Sequence, residues 1–242
     1  MQKILALSSS RVGGGGYLQQ ALNDIHQFLG NEKLNVVFVP FASVDGYDEY
    51  TAKVQDALAS LPYQITGLQH ASAKDLIQNA DVVMVGGGNT FKLMHDLYQE
   101  DVVSLIQEKV KSGMPYIGWS AGTNITGLSI RTTNDMPIIQ PPTFDALCFL
   151  PFQINPHYLN ETREGFHGET RDQRLEEFIK LNPGIPVLGL PEGTALHYEA
   201  GKLLYKGNVD GVLFESNENN QPVRRSIEPN SDLHFLLQRN KF

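Results

Sequence analysis

The chain alternates short apolar runs with segments in which apolar residues recur every three or four positions. The apolar runs, which predict buried β-strands, lie at residues 3–7, 36–39, 81–85 and 115–119. The segments with helical periodicity lie between them, at residues 18–29, 48–61 and 102–111. Strands that alternate with helices in this way predict a parallel sheet with helices on both faces, because each connection between parallel strands crosses over the sheet.

The last third of the chain has a different pattern. Residues 168–181 predict a helix and residues 187–190 a strand, and short strands separated by turn residues follow at 195–198, 203–205 and 212–214. We therefore predict an α/β fold, a doubly wound, mostly parallel sheet flanked by helices, with a short antiparallel C-terminal extension. Since no Pro-rich or Ser/Gly-rich linker interrupts the pattern, residues 1–242 are expected to form a single α/β domain.

Charge and cysteine content narrow the classes of protein that fit this chain. Its 19 Lys and Arg residues against 27 Asp and Glu residues give a net charge of −8, which argues against a nucleic-acid partner. The one cysteine, Cys148, excludes an intrachain disulfide and fits a reducing compartment. Because no apolar run approaches the ~20 residues of a membrane span, we expect a cytoplasmic protein without a membrane partner. No Cys/His spacing predicts a metal site.

The segment Gly118-Trp119-Ser120-Ala121-Gly122 is the most informative motif. It is a G-x-S-x-G sequence that follows an apolar run, which is the context of a nucleophile elbow at a strand-to-helix turn. The plainer interpretation is a tight turn with a capping serine. We favour Ser120 as a nucleophile, which then requires a base and donors for the oxyanion.

The second motif is the glycine run Gly86-Gly87-Gly88-Asn89, which closes one predicted strand and begins a helix. Glycines let backbone N–H groups approach a ligand closely, so the N–H groups of Gly88 and Ala121 are candidates for an oxyanion hole. Asn89 is both a candidate helix cap and a candidate substrate contact. The alternative for this loop is phosphate binding, although the spacing matches neither common nucleotide motif.

His157 is the candidate base among seven histidines, because it directly follows an apolar run and Pro156 makes its loop rigid. Two acids are candidates for orienting it. Asp135 lies in a polar loop between the elbow and His157, and Glu192 follows the predicted strand at 187–190. The alternative for each acid is a solvated or turn-stabilising role, and the residues alone leave the choice between them open.

Arg171 lies near the start of the predicted helix at 168–181, where the helix dipole disfavours a cation. A guanidinium in this place suits a substrate carboxylate. For an isolated arginine, an exposed ion pair with a neighbouring acid is the more common role.

Taken together, seven segments resemble peptidase E, the α-aspartyl dipeptidase family of serine peptidases. They are residues 85–91, 116–122, 130–137, 144–147, 153–157, 168–171 and 189–193. The resemblance implies a fold related to class I glutamine amidotransferases, with serine in place of their nucleophilic cysteine. It implies cofactor-free hydrolysis of dipeptides with an N-terminal aspartate.

The resemblance also implies roles for individual residues. Ser120 matches the nucleophile, His157 the base, and either Asp135 or Glu192 the third member. Arg171 matches the arginine that holds the aspartyl carboxylate. The expected partner is a small peptide with an N-terminal Asp, and the expected assembly is a monomer or homodimer. Two alternatives stay open: another amide or ester hydrolase on the same scaffold, for example one acting on aspartate-rich polymers, and a catalytically inactive binding module.

Overall fold

Two β-sheets and their flanking helices make up the described part of the chain. The computed structural model describes residues 1–70, 72–160, 165 and 167–238. Its strands are β1 (Lys3–Leu7), β2 (Leu34–Val39), β3 (Tyr63–Gly67), β4 (Val82–Val85), β5 (Tyr116–Trp119), β6 (Gln153–Pro156), β7 (Val187–Leu190), β8 (Ala195–Glu199), β9 (Lys202–Lys206), β10 (Gly211–Ser216) and β11 (Pro222–Ile227). Its helices are α1 (Leu22–Leu29), α2 (Tyr47–Ala57), α3 (Ala73–Asn79), α4 (Thr90–Gln99), α5 (Val103–Lys111), α6 (Ala121–Asn124), α7 (Arg171–Leu181) and α8 (His234–Leu237).

The larger sheet has seven strands in the order β3-β2-β4-β5-β1-β8-β9. The first five of these positions are parallel, whereas β8 and β9 are antiparallel to their neighbours. Since β4 and β5 are adjacent and parallel, the loop after β4 and the loop after β5 leave the same edge of the sheet. This edge therefore brings together the two motifs found in the sequence.

Helices cover both faces of the larger sheet, as predicted. On one face α1 and α2 bury Ile25 and Val54, and on the other α4 and α5 bury Leu93 and Ile106. The central strands β4 and β5 are buried along their whole length, which explains why their sequences are continuous apolar runs rather than alternating ones. The α/β class with a mostly parallel sheet is confirmed.

The C-terminal extension is antiparallel, but its strands divide between the two sheets. Strands β8 and β9 extend the larger sheet beside β1. Strands β10 and β11 instead join a second sheet of order β11-β10-β7-β6, in which only β6 and β7 are parallel. The strand predicted at 187–190 therefore belongs to the smaller sheet.

Three predicted helices are clearly shorter in the structure. The helix expected over 168–181 begins at Arg171, after its cap residue Thr170. The helix expected over 18–29 begins only at Leu22, because Leu18 has a positive φ of 53° and the residues before Leu22 form turns. The helix expected over 48–61 ends at Ala57, where Leu58 leaves helical geometry with a φ of −106°. Within the described residues, no helix is both long enough and apolar enough to cross a membrane.

Thr123 connects the elbow to the ends of two strands. Its buried hydroxyl donates to the carbonyls of Leu7 on β1, at 2.6 Å, and Gly118 on β5, at 2.9 Å. Both carbonyls lie within the fold, so this hydroxyl satisfies acceptors that water does not reach.

We predict that Thr123→Val lowers the free energy of unfolding by about 1–3 kcal/mol, because it removes a buried hydroxyl that donates to two carbonyls. The Leu7 carbonyl keeps the Ser120 N–H as a donor, at 3.2 Å. The measurement is the urea midpoint. The matched control is Thr66→Val on the partly exposed edge strand β3, which should change the midpoint much less. Equal midpoints for the two variants would contradict this role for Thr123.

Candidate active site

Ser120 occupies a strained turn between β5 and α6. Its φ of 53° and ψ of −113° lie outside the usual regions for a residue with a side chain, at a cost of ~1–3 kcal/mol. Although Ser120 is the N-cap residue of α6, its side chain makes no capping hydrogen bond. The capping alternative raised by the sequence is therefore wrong, and the side chain lines an open cleft of about 520 Å³.

The elbow needs glycine on both sides for reasons of space. A methyl group on Gly118 would overlap the carbonyl of Gly122, and one on Gly122 would overlap the carbonyl of Val85 on β4. The turn can therefore sit directly against the neighbouring strand only if both positions lack a side chain.

The glycine loop after β4 packs against this elbow. A methyl carbon on Gly87 would lie 2.8 Å from Ser120 Cβ. Gly88 has a φ of 140°, a conformation that favours glycine, and a methyl there would overlap the Ala42 carbonyl. Among the described residues, no acceptor is bonded to the Gly88 N–H or, at the first position of α6, to the Ala121 N–H. Both donors are thus free to bind a ligand.

His157 lies in the same cleft as Ser120 and contacts Glu192. Its Nδ1 is 2.8 Å from Glu192 Oε1. A carboxylate only accepts, so Nδ1 donates to Glu192, and in the neutral imidazole Nε2 is then the acceptor. Among the described residues, the Ser120 hydroxyl has no hydrogen-bond partner, and the Ser120–His157 bond is one that commonly closes only with substrate.

The backbone of His157 is fixed by Ser8, at the end of β1. The His157 N–H donates to Ser8 Oγ at 3.0 Å, and the Ser8 hydroxyl donates to the Leu190 carbonyl at 2.7 Å. One serine thereby connects the end of β1 to the ends of β6 and β7. The sequence analysis missed Ser8, although its place directly after the first strand is a usable signal.

Asp135 lies elsewhere and does not contact His157. Its Oδ2 accepts from the Thr90 N–H at 2.7 Å, the Thr90 hydroxyl at 2.6 Å and the Thr133 hydroxyl at 3.0 Å. A carboxylate at the N-terminus of α4 is favoured by the helix dipole. Of the two candidate acids, the structure brings only Glu192 to His157. The same contacts disfavour the phosphate-binding alternative, since the protein's own carboxylate occupies the start of this helix.

Asn89 is engaged on both sides of its amide. Its Oδ1 caps α4 by accepting from the Lys92 N–H at 3.0 Å, and its Nδ2 donates to the Met136 carbonyl at 2.8 Å. The predicted cap is confirmed. These two bonds do not aim the side chain at a substrate, so its role as a substrate contact stays a prediction.

Arg171 is the first residue of α7, which begins with a capping box between Thr170 and Gln173. The half-buried guanidinium donates to Asn155 Oδ1 at 3.2 Å and forms no ion pair with a described residue. Burial, together with repulsion from Arg174, lowers the pKa of Arg171. The exposed ion pair expected as the alternative role belongs instead to Arg174, whose Nε lies 3.7 Å from Glu169.

The wall of the cleft formed by α2 carries charge of both signs. Asp45 and Glu49 are exposed there, close to the start of α2, and Lys53 lies one turn further along. The cleft is therefore polar and open at this wall. The sequence analysis gave these residues no role.

Comparisons with known proteins identify the family of this chain. The model of peptidase family S51 matches residues 4–205. A peptidase E from Shewanella denitrificans is 49% identical over 231 residues, which are 95% of this chain and 98% of the relative. A peptidase E from Shewanella amazonensis is 47% identical over 237 residues, 97% of this chain and 99% of the relative. The chain belongs to peptidase family S51.

Solved structures support the fold. A candidate peptidase E from Listeria monocytogenes EGD-e has a TM-score of 0.66 at 23% identity, covering 86% of this chain and 98% of its own. A peptidase from an acI-B1 actinobacterium has a TM-score of 0.63 at 13% identity, covering 96% of both chains. At these identities the likeness concerns the architecture alone.

The contacts of the two acids predict different effects of removing their charges. Glu192→Gln should lower kcat by about two orders of magnitude, because the imidazolium formed during turnover loses its counter-charge. Asp135→Asn should keep kcat within about threefold and instead lower the free energy of unfolding by about 0.3–1 kcal/mol, through the loss of charge at α4. The measurements are steady-state kinetics and urea unfolding. A larger loss of kcat in Asp135→Asn than in Glu192→Gln would reverse the assignment.

Proposed function

We propose that this protein is a serine-type dipeptidase that hydrolyses dipeptides with an N-terminal aspartate through an acyl-enzyme. Membership of family S51 makes it a peptidase. The serine mechanism is supported by Ser120, which has a strained backbone and a side chain that does not cap α6. It lies in one cleft with His157, which is paired with Glu192. The observation that carries the substrate class is the half-buried Arg171 guanidinium, which forms no ion pair with a carboxylate among the described residues and feels the Asp135 carboxylate only from a longer distance.

In the first step, the Ser120 hydroxyl oxygen attacks the carbonyl carbon of the peptide bond. His157 Nε2 takes the hydroxyl proton, and Glu192 stabilises the resulting imidazolium through Nδ1. The carbonyl oxygen becomes an oxyanion, which accepts from the N–H groups of Gly88 and Ala121.

In the second step, the tetrahedral intermediate collapses. His157 returns the proton to the leaving nitrogen, the C–N bond breaks, and the C-terminal residue departs as a free amine. The aspartyl group remains on Ser120 as an ester. A water molecule then attacks this ester with His157 again as the base, and release of aspartate regenerates the hydroxyl.

Arg171 supplies the specificity in this proposal. Its partner Asn155 lies on β6, and that strand ends directly before His157, so the guanidinium is tied to the element that carries the base. A substrate carboxylate that binds Arg171 exchanges water for a charge-assisted, bidentate partner. Such a contact is worth about 1.5–3 kcal/mol, enough to select Asp over an uncharged residue despite the protein's net charge of −8.

The test is the hydrolysis of Asp-Leu beside Ala-Leu, Asn-Leu and Glu-Leu in the parent and in Arg171→Ala. The parent should prefer Asp-Leu, and Arg171→Ala should reduce its kcat/KM advantage over Ala-Leu by about 10- to 100-fold. The matched control is Arg174→Ala, which removes a cation from the same helix and should leave the preference intact. Ser120→Ala should lose several orders of magnitude of kcat with every substrate.

The outcomes separate the alternatives. An unchanged Asp-Leu preference in Arg171→Ala would remove Arg171 from this role. Near-parental turnover by Ser120→Ala would exclude Ser120 as the nucleophile. Hydrolysis of longer aspartate-containing peptides in preference to dipeptides would favour a hydrolase of aspartate-rich polymers.

A further inference from the structure

An aromatic cluster beside the glycine loop has no part in the mechanism above. It consists of Trp119, Tyr17 and Tyr50. Trp119 Nε1 donates to both phenol oxygens, at 3.0 Å to Tyr17 and 3.1 Å to Tyr50. The Tyr17 hydroxyl donates to the Tyr50 hydroxyl at 3.0 Å, and the Tyr50 hydroxyl donates to the Gly87 carbonyl at 3.0 Å. The hydrogen bonds thus run in one direction, from the residue before Ser120 to the residue before Gly88.

The acceptor at the end of this chain belongs to the peptide unit that carries the Gly88 N–H. A trans peptide is planar, so its C=O and N–H point in opposite directions. A hydrogen bond that fixes the Gly87 carbonyl therefore also fixes the direction of the Gly88 N–H. Both residues that this peptide joins are glycines, and they have no side chain that would restrict its orientation. An anchor outside the loop is needed to hold it.

We propose that Tyr50 is a positioning residue of the oxyanion hole. Its hydroxyl holds the Gly87–Gly88 peptide so that the Gly88 N–H points at the oxyanion on the carbon attacked by Ser120. This proposal rests on the function proposed above, since it assumes that Gly88 stabilises the oxyanion. It assigns no contact with the substrate to Tyr50 itself.

The packing around Tyr50 supports a fixed position for its hydroxyl. The ring packs edge-on against Phe38, with centroids 5.0 Å apart and an interplanar angle of 82°. Gly86 provides the room, because a methyl carbon there would lie 2.6 Å from the Tyr50 phenol oxygen. The absence of a side chain at Gly86 therefore leaves room for Tyr50, and its absence at Gly87 leaves room for Ser120.

The state of the phenol also suits this role. Burial raises the pKa of Tyr17 and of Tyr50, so both hydroxyls stay protonated and able to donate at neutral pH. A carbonyl that accepts a hydrogen bond polarises its peptide and makes the N–H a stronger donor. The Tyr50 hydrogen bond thus both orients the Gly88 N–H and makes it a stronger donor.

The test compares Tyr50→Phe with Tyr17→Phe. Both remove one hydroxyl from the same cluster and keep the ring, but only Tyr50→Phe removes the bond to Gly87. Tyr50→Phe should lower kcat by about 10- to 100-fold with KM within about threefold, because the misaligned donor acts only in the transition state. Tyr17→Phe should lose at most about threefold in kcat. Urea midpoints show whether the two variants differ in folding.

A second readout is binding of an aspartyl boronic acid, which forms a tetrahedral adduct with a nucleophilic serine, beside binding of free aspartate. Tyr50→Phe should weaken binding of the boronate about as much as it lowers kcat and leave binding of aspartate nearly unchanged. A purely structural role for Tyr50 would weaken both ligands alike.

Gly86→Ala is the second variant, in case Tyr50→Phe folds poorly. It displaces the tyrosine without deleting it, so it should reproduce the loss of kcat at nearly constant KM. In the double variant, kcat should fall by less than the product of the two single-variant factors, because both changes break the same hydrogen bond.

Two results overturn the proposal: a folded Tyr50→Phe whose kcat and boronate affinity match those of Tyr17→Phe, or a loss that lies in KM alone. Neither depends on the substrate class, because the comparison can be made with any amide or ester that the parent hydrolyses. An inactive parent, or an active Ser120→Ala, would instead count against the proposed function.

Discussion

The close approach of two loops at one edge of the larger sheet is the constraint on which the site depends. The loop after β4 and the elbow after β5 leave neighbouring parallel strands and pack with no space for a side chain between them. A methyl carbon on Gly87 would touch Ser120 Cβ at 2.8 Å, and one on Gly122 would overlap Val85. The sheet itself thus holds a strained serine beside backbone donors, which explains how the fold maintains a turn costing ~1–3 kcal/mol.

The remaining parts of the site come from the second sheet and depend on contacts across the chain. His157 follows β6 and Glu192 follows β7, and these parallel neighbours bring base and carboxylate together. Ser8 connects this pair to the larger sheet through hydrogen bonds to His157 and Leu190. The cleft therefore lies where two sheets meet, and each sheet supplies one half of the proposed catalytic apparatus.

Much of this arrangement could be predicted from the sequence where a pattern is local. The apolar runs predicted β1, β2, β4 and β5, and the glycine spacing around Ser120 predicted the elbow. The short strand β3 and helix α3 were missed, since their segments have weak apolar periodicity. The start of α1 was misplaced because Leu18 is buried yet adopts a turn conformation.

The choice between the two acids and the contacts of Tyr50 could not be predicted, since both depend on residues far apart in the chain. Asp135 lies in a polar loop and Glu192 follows a predicted strand, but neither setting shows which acid reaches His157. The pairing of β6 with β7 brings Glu192 there. Tyr50 lies 37 residues before the carbonyl to which it donates. No local sequence pattern predicts such a contact. The glycine at position 86 is visible in the sequence, but the reason for it, the close approach of the Tyr50 ring, is seen only in the structure.

The central claim is that Ser120 attacks a carbonyl whose oxygen then lies between two backbone N–H groups. A crystal structure of the protein with an aspartyl boronic acid tests it most directly. The account predicts a bond from boron to Ser120 Oγ and a boronate oxygen within about 3 Å of the nitrogens of Gly88 and Ala121. A boronate bonded to another residue, or one on Ser120 with no oxygen directed at these two groups, would contradict it.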